Sequence, residues 1–301
     1  MNSLEDYKTV LIIGNGFDKS LGYPTSYSEF MESRYFIDLV SKNDNSLARY
    51  LEYKKRFVNW IDVEKELVTY SNILNSAPSV QSQMPRAIIE SKSCTSIMES
   101  FRAEFTQLCI ALKKYLIELE NQKCFKEGFD YSPAYKLIKI ISDERKLCYI
   151  VNFSYTIFIE KVTNCFENRR IFQIRQIHGS LKDDIVFGVQ DNVELKPEHV
   201  FLYKSYNKCQ NVRGLPQILD NADKIIFFGY SLGETDHSYF DDFFYSQTIK
   251  SCQKKKFVFY HYGQTAYDDI IWQLRTLTKN RTSYLNQYND IEFVDNSKAL
   301  E

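Results

Sequence analysis

Apolar residues along this chain keep two different rhythms. Before residue 14 and after about residue 147 they come in short unbroken runs, whereas between about 27 and 145 they recur at helical spacing. The first run, Val10 to Ile13, stops at Gly14-Asn15-Gly16-Phe17-Asp18. An apolar run without alternation predicts a strand buried on both faces, as in a parallel sheet. Similar runs lie at Leu147–Val151, ending at Asn152; Ile171–Ile177, ending at His178-Gly179-Ser180; and Lys224–Phe228, ending at Gly229. Phe257–Tyr260 and Ile291–Val294 complete the set, with a short further strand expected at Ile185–Phe187 before Gly188. Helical stretches are expected near 156–166, 236–250 and 265–280. Strands alternating with helices predict an α/β fold, a doubly wound, Rossmann-like, mainly parallel sheet. Residues 1–301 then form a single α/β domain, with 27–145 a large helical insertion after the first strand.

Inside that insertion, Ser26 followed by Glu29 is a capping-box pattern after the turn residue Pro24, so a helix is expected to begin near Tyr27. Phe57, Trp60, Ile61, Leu67 and Val68 share one predicted helix face, and Glu64 falls on it. A carboxylate on an apolar stripe must find a partner or line a cavity. Glu64 is therefore either paired with a Lys or Arg or directed into a ligand cleft. Residues 76–96 are polar and rich in Pro and Ser and read as a loop. Met98, Phe101, Phe105, Leu108, Leu112, Tyr115 and Leu116 then keep helical spacing and read as core.

Composition removes several classes of function. A net charge of −1 and a pI of about 6.5 give no reason for an obligatory nucleic-acid or anionic-membrane partner. No apolar run reaches the roughly 18 residues of a membrane span, and the first residues lack a signal-peptide core, so a cytoplasmic protein is expected. Seven widely spread cysteines without a Cys-x-x-Cys pair predict reduced thiols, and the scattered histidines predict no metal site. Aromatic residues make up 15% of the chain, which suits bulky helix packing and a self-association surface, hence a homo-oligomer.

Chemistry concentrates where the runs stop. Seven of the ten glycines (Gly14, Gly16, Gly22, Gly179, Gly188, Gly229 and Gly233) stand at or just past predicted strand ends, beside Asn15, Asp18, Asn152, His178, Ser231 and Asp236. In a parallel sheet those ends share one edge, where open α/β sheets bind ligands. The Gly14-x-Gly16 turn either approaches a phosphate or simply turns the chain, since position 19 is Lys rather than a third glycine. Asn152 either orients a ribose hydroxyl or water or caps the next helix. His178 is either a general base or a histidine held by the backbone. Asp18 either holds a ribose or caps the first helix. His199, His237 and His261 lack such a setting and read as surface or packing residues. Gly229-Tyr-Ser231-Leu-Gly233 also fits a serine-hydrolase elbow, but only His237 and His261 follow it, with Asp241 and Asp242 between them, at unsuitable spacing.

Ile12-Ile-Gly-Asn-Gly-Phe-Asp18, Gly22-Tyr-Pro-Thr-Ser26, Trp60-Ile-Asp-Val-Glu64, Asn152-Phe-Ser-Tyr155, Ile177-His-Gly-Ser180 and Gly229-Tyr-Ser-Leu-Gly-Glu-Thr-Asp236 occur in this order over residues 9 to about 295. Together they resemble the bacteriophage abortive infection AbiH family, which implies a phage-defence protein that answers a phage trigger. The AbiH pattern is in turn similar to sirtuin-like (SIR2-like) NAD-cleaving antiphage domains. That likeness implies an NAD glycohydrolase, with NAD as substrate rather than redox cofactor. It matches Asn152 and His178 to the catalytic Asn and His, Gly14, Gly16 and Ser231 to nucleotide-contacting positions, and Asp236 to the acid that follows. Asn15, Gly179, Ser180 and Gly229, which stand beside them, are expected to line the same nucleotide site. Asp18 or Glu64 would then support the developing positive charge. No sirtuin zinc ribbon is present, so protein deacylation is not implied. Asn15 replaces a small residue, and Asn152-Phe-Ser154 stands where many such enzymes have Asn-Tyr-Asp. The missing acid leaves a second implication open, a non-catalytic nucleotide-binding sensor.

Overall fold

Thr9–Ile13 (β1) is buried along its whole length, which is why its apolar residues do not alternate. In the computed structural model, which describes residues 6–42, 45–57, 62–74, 97–122, 125 and 127–298, β1 lies at the centre of a six-stranded parallel sheet. Its partners are Cys148–Asn152 (β2), Phe172–Gln176 (β3), Lys224–Phe228 (β4), Lys256–His261 (β5) and Asp290–Asp295 (β6), in the order β3-β2-β1-β4-β5-β6. This is the doubly wound order whose connection reverses direction between β1 and β4. The long apolar runs all became strands, with ends shifted by a residue or two.

Two compact units make up the chain. The first comprises residues 1–23, 123–180 and 211–301 and holds the sheet. Val10, Ile12, Tyr149, Val151, Ile225, Phe227, Phe257 and Phe259 lie at matching register on one face, forming a continuous apolar layer. Leu215, Ile218 and Leu219 from the helix Leu215–Asn221, Phe243 and Phe244 from Asp241–Ser246, and Ile270 and Leu274 from Gly263–Leu277 cover that layer. Each such side chain contributes roughly 1.5–3 kcal/mol when fully removed from water. The expected helix at 236–250 is instead a 3-10 turn, Glu234–Tyr239, followed by the short helix. Cys148 is buried in β2, where burial pushes its thiol up to about 12 and keeps it protonated.

The second unit comprises residues 24–122 and 181–210. The Ser26–Glu29 capping box forms as expected and starts the helix Tyr27–Glu32. Phe101, Phe105, Leu108, Leu112, Tyr115 and Leu116 make the buried stripe of the long helix Ile97–Glu120. Two expectations are corrected here. Ile185–Phe187 forms no strand: Phe187 packs its ring on Phe105 and Tyr27, so side-chain contacts rather than a ladder bury the run. Phe57 does not share a helix with Leu67 and Val68, because it follows the helix Ser46–Lys55, is 69% exposed, and precedes a helix that begins at Val63. Trp60, Ile61 and the expected loop at 76–96 lie outside the described residues. No helix of the described residues is long and apolar enough to cross a membrane.

His199 is buried in the second unit, with Nδ1 2.6 Å from the Ser71 hydroxyl, and burial lowers its pKa. Below the unfolded value of about 6.5 the unfolded chain takes up a proton that the folded chain resists, so stability falls as the pH drops. The urea midpoint is expected to fall between about pH 7.5 and pH 5.5, and to fall less in His199→Gln.

Candidate functional site

The sheet register brings four strand ends level. Ile13 aligns with both Asn152 and Phe228, and Asn152 aligns with Gln176. Gly14, Phe153, Ile177-His178 and Gly229 therefore leave the sheet along one edge. The ladder persists for one further step, as Phe153 N–H donates to Ile13 O at 2.9 Å and Ile177 N–H to Asn152 O at 2.9 Å.

Between β1 and β4 the two glycine turns close directly on one another. Gly16 N–H donates to Gly229 O at 2.9 Å, and a Cβ on Gly16 would stand 2.5 Å from Gly229 Cα. Gly229 has φ +60° and its own Cβ would meet Phe17 N at 2.3 Å. A Cβ on Gly14 would meet Gly229 O at 2.8 Å and the Tyr230 ring at 2.9 Å. These glycines are required because backbone lies against backbone there. The helix that follows, Asn15–Ser20, has Phe17 N–H donating to Gly14 O at 3.0 Å.

Asp18 takes a role different from a helix cap. It is 1% exposed, and its Oδ2 accepts from Ser154 Oγ at 2.6 Å and Thr156 Oγ1 at 2.7 Å. Asn152 organises the same loop: Oδ1 accepts from Ser154 N–H at 2.8 Å and Nδ2 donates to Thr156 O at 3.1 Å. Gln176 at the end of β3 adds a third support, donating to Thr156 O at 3.0 Å. Residues 152–156 are thus held to β1's helix on one side and to β3 on the other.

His178 occupies an aromatic setting. It is 4% exposed, with Phe153 packed edge-on at 5.3 Å, Tyr239 at 6.0 Å and Tyr155 at 6.3 Å between ring centroids. Its Nε2 lies 3.3 Å from Asp236 Oδ1, close enough for a hydrogen bond but without the alignment of one. The other oxygen of Asp236 accepts from the Tyr230 hydroxyl at 2.9 Å. A neutral imidazole beside a carboxylate can take up a proton and share the resulting charge with it.

Of the residues singled out in the sequence, the first unit brings together Gly14, Asn15, Gly16, Asp18, Asn152, His178, Gly179, Ser180, Gly229, Ser231 and Asp236. Asn15 and Ser180 are half-buried and Ser231 is exposed. Glu64 belongs to the second unit, where its carboxylate meets the buried Lys204 Nζ at 2.9 Å. His237 Nε2 lies 2.8 Å from Gln273 Oε1 and 3.1 Å from Leu232 O, and positive φ in the Gly229–Gly233 turn falls on Gly229 and Leu232, not Ser231. A serine elbow would need the nucleophile itself at that strained position. Sequence reasoning missed Thr156, Gln176, Tyr230 and Tyr239. None of the four carries a local cue, because the partners that give them their roles are set by which strands lie side by side.

The family model described as Bacteriophage abortive infection AbiH matches residues 10–261, from β1 to the end of β5, and so takes in every site residue named above. No curated protein matches the chain.

If the two hydroxyls hold Asp18 as their geometry indicates, Ser154→Ala and Thr156→Val should each cost about 1–3 kcal/mol of folding stability. In an Asp18→Asn background the same changes should cost clearly less, because the charged acceptor is gone. Urea denaturation of the single and double variants measures the coupling.

Proposed function

This chain belongs to the bacteriophage abortive infection AbiH family, a phage-defence family, and from that premise we propose that it is an NAD glycohydrolase. The observation that carries the reading is His178, a buried imidazole at the binding edge of the sheet with Nε2 beside Asp236. The order of Asn152, His178 and Gly229-x-Ser231…Asp236, similar to sirtuin-like NAD-cleaving domains, supports it.

In this reading the bond between ribose C1′ and the nicotinamide nitrogen breaks, and its electron pair returns to the pyridinium ring, which leaves neutral. Water forms the new C1′–O bond, giving ADP-ribose. Asp236 stands on the Nε2 side of His178, so the opposite nitrogen, Nδ1, takes the proton of the water, and the carboxylate balances the imidazolium. Asn152 acts by holding the 152–156 loop, whose Phe153 and Tyr155 flank His178. Asn15, Ser180 and Ser231 supply polar contacts to the nucleotide. Gly14, Gly16, Gly179 and Gly229 shape the backbone around it. Asp18 contributes through the loop it anchors, and Glu64 through the unit it stabilises. NAD is consumed, and its depletion halts phage replication together with the host cell.

One observation favours a second reading, a sensor that binds a nucleotide without turnover. Both polar ends of the Asn152 amide are engaged by the 152–156 loop, at Ser154 N–H and Thr156 O.

Purified protein incubated with NAD, with free nicotinamide followed over time, separates the two. Release is expected from the wild type, and a loss of about 10²–10⁴-fold is expected in His178→Ala. Asn152→Ala should lose activity with weaker folding stability. Saturable NAD binding without release would favour the sensor, and absence of both would remove NAD as the ligand.

A further inference from the structure

We propose that Gly14 and Tyr230 are positioning residues: Gly14 leaves the space in which the Tyr230 ring lies, and the Tyr230 hydroxyl fixes Asp236 against His178. The proposal rests on the reading of His178 as the proton acceptor.

A circuit of contacts forms the chain of support. The space a Gly14 side chain would fill is already taken, by Gly229 O at 2.8 Å and Tyr230 Cδ2 at 2.9 Å from the ideal Cβ position. Contacts inside the protein are therefore enough to require the glycine. Gly229, at φ +60°, turns the chain so that the Tyr230 ring comes back over β1, where it stacks on Phe153 at 4.5 Å between centroids. The ring's hydroxyl then donates to Asp236 Oδ2 at 2.9 Å, leaving Oδ1 beside His178 Nε2, 3.3 Å away. Phe153 closes the circuit by packing edge-on against the imidazole. A carboxylate held at one oxygen by a buried phenol presents its other oxygen at a set distance, which an unanchored side chain does not do.

A definite protonation pattern follows. A carboxylate facing Nε2 draws the proton of the neutral ring to that nitrogen and leaves Nδ1 as the acceptor toward the substrate. The ¹⁵N shifts of labelled histidine, read above the pH at which the ring titrates, report which nitrogen carries the proton. With four histidines in the chain, the His178 signals are identified by their absence in His178→Gln. The wild type is expected to hold the Nε2–H form. Asp236→Asn and Tyr230→Phe should both move His178 toward a mixture of tautomers, although Phe keeps the ring packing. A wild type without the Nε2–H form, or a Tyr230→Phe variant with unchanged tautomers, would overturn the proposal. This readout needs no NAD turnover, so it stands even if the glycohydrolase reading fails.

Kinetics supply the second arm. In Tyr230→Phe, kcat is expected to fall about tenfold with KM within about twofold. Gly14→Ala, where it folds, should lower kcat in the wild type but add little in Tyr230→Phe, since both act on the same pair. A rise in KM of similar size in both backgrounds would mean that Gly14 touches the nucleotide, and would overturn its assigned role.

Discussion

The contact on which the rest of this structure depends is the backbone-to-backbone approach of Gly16 and Gly229 where β1 and β4 leave the sheet. The winding of the sheet reverses there, and Gly16 N–H donates to Gly229 O at 2.9 Å across the two turns. Side chains at either position would force the turns apart. The separation would be transmitted at once to Tyr230 and Asp18, the residues that begin the two polar networks of the site. One steric constraint thus governs both the fold's central seam and the placement of the chemistry.

Most buried polar groups around that seam are fully engaged. Asp18 gathers two hydroxyls, and Asn152 serves one donor and one acceptor of the same loop. Engagement of this kind is what burial demands, since an unmet donor or acceptor costs about 1–3 kcal/mol. His178 Nε2 departs from it, buried beside a carboxylate yet outside hydrogen-bond alignment.

The AbiH relationship and the site geometry bear on different levels of the functional question. Membership assigns the chain to phage defence. The site geometry bears on the proton chemistry open to the strand-edge residues, through the 3.3 Å between His178 Nε2 and Asp236 Oδ1 above all. The second unit contributes its own buried ion pair, Lys204 with Glu64, and a buried His199, both explained by packing within that unit.

The sequence by itself determined the α/β class, the strands, the capping box at Ser26 and the clustering of special residues past strand ends. Each of these is a local property, written in runs, periods and turn residues a few positions apart. It misread Ile185–Phe187, because a short apolar run looks alike whether a neighbouring strand or neighbouring rings bury it. It left open the roles of Asp18, Asn152, Glu64 and the Gly14-x-Gly16 turn, because the deciding partners are distant: Ser154 is 136 residues from Asp18. Only the tertiary structure decided that Asp18 anchors a loop, that Glu64 meets a lysine, and that the glycines face each other. Such pairings follow from which strands become neighbours in space, a choice made by the burial of the whole sheet and visible in no single segment of the chain.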